Sequence, residues 1–210
     1  MSASFAAGTE PGTPCRFDVT SVTVPPFWQG VQNMSNWLLI SYRVPTQPSA
    51  LRVASWRALK QMGAVSLGPG LYALPNTPEF VDGLKRLSER IAEGGGSAVK
   101  FSAAPLTNGD KASLSALFTA ARTDEFQQAA RSARRLIEHI EREKASEDYR
   151  FAEVESLEEE MEKVRRQFQR VVARDHFGTL AKEEALSALL KAEQCLGDYL
   201  NTAYEKENPK

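Results

Sequence analysis

The sequence predicts an α+β fold, and three observations carry the prediction. Between residues 37 and 102 short apolar strands alternate with two amphipathic helices. From about residue 112 to the end the pattern turns purely helical, with apolar residues three and four apart. The 210 residues are 42% hydrophobic and 25% charged, enough apolar material for a core and too little charge imbalance for a disordered chain.

Residues 1–33 read as a flexible N-terminal tail rich in Gly, Pro, Ser and Thr, with a weak strand pattern at Phe17 to Val24. Met34, just before the first strong strand, is a second candidate start. Trp37 to Val44 reads as a buried strand stopped by Pro45. Residues 49–62 are helical, with Leu51, Ala54, Ser55, Ala58, Leu59 and Met62 on one face and Gly63 at the C-cap. Ala64–Leu67 and Leu71–Leu74 flank Gly68-Pro69-Gly70 as a hairpin. Thr77 and Pro78 open a second helix with apolar face Phe80, Val81, Leu84, Leu87 and Ile91; Gly94 to Gly96 end it. Ser97 to Ser102 is the last strand. The order β-α-β-β-α-β over residues 34–107 is the ferredoxin-like pattern, with two helices on one face of four antiparallel strands.

Residues 108–210 read as a C-terminal helical domain, a long α-helical hairpin plus a third helix forming a bundle. Thr123 reads as the cap of a helix carrying Phe126, Ala130, Ala133, Ile137 and Ile140. A second helix carries Val154, Leu157, Met161, Val164, Phe168 and Val171. A third carries Leu186, Leu189, Ala192 or Glu193, Leu196, Leu200 and Ala203. Turns fall at Ser146–Tyr149 and Phe177–Thr179.

Composition excludes several functions. No apolar run approaches a membrane span, and the N-terminus has no basic start or apolar stretch of a secretory signal, so a cytoplasmic protein is expected. Two cysteines and two histidines leave little for a disulfide framework, a zinc cage or a catalytic triad. No cofactor, no metal and no enzymatic activity are expected. Cys195, beside the apolar seam, reads as buried and inert; Cys15 lies in the tail. The acids of residues 34–107 all fall on the second helix, which argues against a metal-dependent nuclease. The carboxylates between Glu153 and Glu162 read as a solvated helix start matched to the macrodipole. The Glu-x-x-His pairs of a di-metal carboxylate bundle are absent.

Two candidate sites remain. Residues 34–107 carry eight bases against four acids, whereas residues 108–210 carry 17 against 21. On the two helices of the basic block, Arg52, Trp56, Arg57, Lys60, Lys85, Arg86 and Arg90 form a candidate DNA-binding patch, the bases for phosphate and the tryptophan for stacking. Arg170, Arg174 and His176, at the end of the long helix, form a candidate anion or effector site, with a structural corner as the plainer reading.

The stretch from Trp37 to Ala64, Gly70 to Pro75, Phe151 to Glu160 and Ala173 to Gly178 resembles, in order, the N-terminal domain of the chromate resistance protein ChrB family. The resemblance spans about residues 34–205, and the ferredoxin-like part is also similar to that of phenylacetate-type repressors. It implies a chromate-responsive transcriptional regulator that binds promoter DNA of a chromate-efflux operon; on this reading the chain would bind as a homodimer, with chromate or another oxyanion as effector. Family members continue into a second domain beyond the point where this sequence ends, so roles seated there do not carry over, and no winged helix is evident. The alternative is an interaction or scaffold module that dimerises through its helices or a sheet edge without binding DNA.

Overall fold

Strand β1 (Trp37–Arg43) carries apolar side chains on both of its faces, because alternate residues of a strand point to opposite sides. Leu38 and Ile40 point one way, Trp37 and Leu39 the other. A computed structural model of the chain, which describes residues 36–47 and 49–207, shows both faces covered. The tail expectations, including the strand at Phe17 to Val24 and the surroundings of Cys15, lie outside the described residues.

The arrangement is mixed α+β, with one four-stranded antiparallel sheet and five helices among the described residues. Strands β2 (Val65–Gly68), β3 (Leu71–Pro75) and β4 (Ser97–Ala103) join β1 in the order β2-β3-β1-β4. Leu39 of β1 lies between Ala73 of β3 and Phe101 of β4, which fixes which residues share a face. The β2–β3 turn needs a glycine at 70. Its φ is +71°, and a Cβ there would sit 2.6 Å from the carbonyl oxygen of Tyr42.

Helices α1 (Ser49–Gln61) and α2 (Pro78–Glu93) cover the Leu38/Ile40 face through Leu59, Phe80, Leu84, Leu87 and Ile91. Thr77 caps α2 by accepting a hydrogen bond from the Phe80 N–H, and Pro78 occupies the first turn, as the sequence predicts.

Helix α3 (Asn108–Ser146) differs from expectation. Thr123 does not start a helix but lies well inside this one, its hydroxyl 2.7 Å from that of Thr179. The start is at Thr107, whose side chain accepts from the Asp110 N–H while Asp110 accepts from the Thr107 N–H, a reciprocal cap. The extra N-terminal turns cover part of the sheet's second face, where Phe118 stacks on Trp37 at 5.0 Å; Phe177, from the segment after α4, stacks on it at 5.5 Å, while Val99 and Phe101 of β4 stay exposed on that face. One helix thus serves both the sheet and the bundle. Thr107→Ala is expected to cost about 1 kcal/mol in urea unfolding and to raise amide exchange across residues 108–112.

Helices α4 (Phe151–Val172) and α5 (Ala181–Glu207) complete a three-helix core with α3. The seam of α4 is Leu157, Met161, Val164, Phe168 and Val171, as the spacing predicts. That of α5 is shifted: Ala185, Leu189, Ala192, Leu196 and Tyr199 are buried, while Leu186 and Leu200 lie at its margin. Small residues explain the shift. Ala129, Ala130 and Ala133 of α3 and Ala185 and Ala192 of α5 are all buried, and α3–α5 is the most extensive interhelical contact. Cys195 is a free thiol at the edge of this core and only partly buried. None of the helices among the described residues is long and apolar enough to cross a membrane.

Candidate functional site

Helix α1 buries Ser55 and Leu59 against the sheet. That leaves Arg52, Trp56 and Lys60, spaced four apart, on one outward stripe, with Arg57 beside it. All four are exposed, Trp56 by 47%. α1 contains no acidic residue. The Arg52 guanidinium also donates to the Thr46 carbonyl at 3.0 Å, which ties it to the loop before the helix. On α2, Lys85, Arg86 and Arg90 are exposed too, but four acids share that helix and Lys85 pairs with Asp82 at 3.3 Å. Both helices lie on the same face of the sheet, so the structure brings the six bases into one layer.

A cleft of about 560 Å³ opens between α1, α2 and the end of α4. Met62, Phe80 and Leu87 form its apolar wall; Arg86, Arg90 and Arg174 line it with positive charge, and Glu79 adds one carboxylate. It therefore joins two members of the candidate DNA patch to one of the candidate effector residues.

Behind the cleft lies a buried ionic node. Arg122 of α3 is 1% exposed and donates to Glu125 at 3.1 Å. Glu125 offers its other oxygen to Arg174 at 2.8 Å, and Arg174 also donates to the Lys60 carbonyl at 2.8 Å. That carbonyl lies in the last turn of α1, where backbone carbonyls carry partial negative charge. Gly63 makes the approach possible: at φ +79° its hydrogen faces Arg122, and a Cβ there would stand 2.8 Å from the guanidinium. Burial holds Arg122 below the ordinary arginine range, with Glu125 opposing that shift.

His176 is buried at the same corner, edge-on to Phe80 at 5.5 Å. Burial, with a smaller contribution from the Arg122 charge, pushes its pKa down to about 4, so the imidazole is neutral at pH 7. Asp175 accepts from the Gly178 N–H, and burial raises its carboxyl above the usual range. Of the three candidate effector residues, then, His176 is interior, Arg174 is engaged with Glu125 and Lys60, and Arg170 stands exposed on α4.

Arg122 and Glu125 escaped the sequence reading. The available signal was Arg122 itself, four residues after Phe118 and four before Phe126 in a buried stripe, where a charge demands a partner. A second missed cluster lies on the bundle: His139, Glu143 and Glu153 place possible ligand atoms within 4.8 Å of one another.

A sequence model of the family described as "Protein ChrB, N-terminal" matches residues 52–210. A relative named "Protein ChrB" from Cupriavidus metallidurans strain CH34 is 34% identical over 82 residues, which is 39% of this chain and 25% of that relative. The match thus spans about a quarter of the relative's length.

Proposed function

Since the chain belongs to the ChrB N-terminal family, a chromate-resistance-associated family, we propose that it is a non-enzymatic regulatory protein that binds promoter DNA through the outer face of α1 and α2. The observation that carries this reading is α1. It presents Arg52, Arg57 and Lys60 without a single acid on the helix, and Trp56 among them stays half exposed. Bases so placed suit phosphate oxygens, and the indole suits a sugar or an unstacked base. Arg86 and Arg90 extend the surface toward the cleft, where an oxyanion effector would meet Arg174 at the point that joins α1 to the bundle. The strand order β2-β3-β1-β4 within a β-α-β-β-α-β succession supports a ferredoxin-like reading of this block.

The test is fluorescence anisotropy on DNA from the gene's own promoter, at several salt concentrations. The double variant Arg57→Glu/Lys60→Glu is expected to bind at least ~10-fold more weakly, with a salt slope shallower by about two. Charge reversal at Arg166, exposed on α4, serves as the control and should leave both unchanged. Unaltered affinity and slope in the α1 variant overturn the assignment.

One observation favours the interaction-module reading instead. Edge strand β4 exposes Val99 and Phe101, 55% and 47% accessible, beside Leu39. No binding of the parent to DNA even at low salt would move the function to that edge.

A further inference from the structure

The α3–α4 groove places an imidazole among three carboxylates. His139 and Glu143 lie one turn apart on α3, and Glu153 and Glu160 lie two turns apart on α4, so each pair shares a helix face. The ring uses its two nitrogens differently. Nδ1 is 3.3 Å from Glu160 and within hydrogen-bonding geometry. Nε2 is 3.5 Å from Glu143 Oε1 and 3.4 Å from Glu153 Oε1.

Those last two distances are long for good N–H···O bonds. They match the edge of a tetrahedron around an ion with bonds of about 2.1 Å, which is roughly 3.4 Å. Glu153 Oε1, 3.4 Å from the imidazole Nε2, is also buried and accepts no hydrogen bond. Such an oxygen is costly unless something positive reaches it. A carboxylate on Nδ1 with Nε2 left for the ion is the usual arrangement of a metal-bound histidine.

Charge points the same way. Three carboxylates surround one imidazole, and even a protonated ring would leave an excess of negative charge. Of the nearby bases, Lys144 pairs with Glu141, Arg150 with Asp148, Lys163 with Glu159 and Lys206 with Glu147, and Arg135 directs its Nε to the Arg131 carbonyl. Arg142 directs its Nε to the Glu138 carbonyl. Arg150 acts on Glu143 and Glu153 only at longer range.

We propose that His139 Nε2, Glu143 and Glu153 bind a first-row divalent transition ion, zinc or one of its neighbours, with Glu160 orienting the imidazole through Nδ1. One nitrogen and two oxygens suit zinc, iron, cobalt or nickel better than calcium or magnesium, which favour oxygen throughout. Three protein ligands leave a position for water. The ligands come from both helices of the hairpin, so the ion clips α3 to α4 and stabilises the folded chain by mass action. The site is 17 residues along α3 from Arg122, about 25 Å at 1.5 Å per residue, and stands independently of DNA binding by α1.

The experiment is a Co²⁺ titration of the full chain followed by visible absorption, with Zn²⁺ as competitor and thermal melting in parallel. The parent should develop the bands of four- or five-coordinate cobalt, saturating at one equivalent and displaced by zinc, and zinc should raise its melting temperature. His139→Ala and Glu153→Gln should lose the bands and the shift while keeping the far-ultraviolet circular dichroism of the parent. Glu160→Gln should bind about 10- to 100-fold more weakly. The proposal is overturned if the parent shows no bands at one equivalent, or if Glu153→Gln and His139→Ala bind as the parent does. A thiolate-to-cobalt charge-transfer band would place the ion on Cys15 or Cys195 and overturn it equally. Promoter-DNA binding of the His139→Ala variant, measured alongside, separates failure of this site from failure of the α1 interface.

Discussion

Glu125→Ala is expected to destabilise the chain by about 3–5 kcal/mol. The side chain lost is the one that both Arg122 and Arg174 address. Arg174 is one-fifth exposed and keeps the Lys60 carbonyl, so it adapts. Arg122 cannot. It is sealed at 1% exposure under Gly63, and without Glu125 it is left with a 3.5 Å approach to the Arg174 carbonyl. Removing one member of a buried ion pair strands the other charge in a poorly polarisable interior. The double replacement Arg122→Met/Glu125→Leu removes both charges at similar volume and should restore stability to within about 1 kcal/mol of the parent. Urea unfolding of the parent and both variants checks this. A single variant as mild as the double would mean that the pair does not hold the corner.

Acid should weaken the chain through His176. Its folded pKa of about 4 lies below the roughly 6.5 of an unfolded imidazole. Between those values the unfolded chain takes up a proton that the folded chain refuses. The stability concerned is therefore complete above about pH 6.5 and drains away as pH falls toward 4. The ceiling is about 3 kcal/mol, at 1.4 kcal/mol per pH unit for one proton. Asp175 works the other way. Its carboxyl, raised by burial, accepts a proton more readily in the folded chain and softens the loss at the acid end. Unfolding free energies of the parent and of His176→Gln, taken from pH 7.5 to 4.5, isolate the histidine. The parent should lose more stability on acidification than the variant; parallel curves would show that His176 does not carry the effect.

Most of the first block was legible because its signals are local. Pro45, Gly63, Gly70, Thr77-Pro78 and Gly94 to Gly96 punctuate short periodic runs, and each strand and helix lies within a residue or two of where those breaks place it. The start of α3 was not legible, because Pro105, Asn108 and Gly109 look like a loop and the Thr107–Asp110 cap is a weaker signal than the Phe126 seam beyond it. Trp37 and Leu39 put apolar side chains on the second face of β1, and that part of the face is covered. Nothing local to β1 says that Phe118, some eighty residues on, does the burying. The exposed bases of α1 and α2 could be read from helix periodicity alone. The Arg122 node and the His139 cluster could not, since both depend on the register at which α3 meets other segments. Even so, a lone base at a buried helical position, Arg122, was a cue that a partner must exist.

Helix α3 also decides how the molecule moves. At 39 residues it is a rod of about 58 Å, one end clamped beneath Trp37 and the other wrapped by α4 and α5. A flexible tether between two lobes lets each tumble and melt on its own. Here the tether is replaced by an unbroken ladder of backbone hydrogen bonds, so swinging the lobes apart would require fraying a helix or unstacking Trp37 from Phe118. A push delivered at one end of such a shaft arrives at the other as a tilt of the whole body. Relative motion of the two lobes is accordingly confined to small rigid displacements along α3, met where Arg174 grips the last turn of α1.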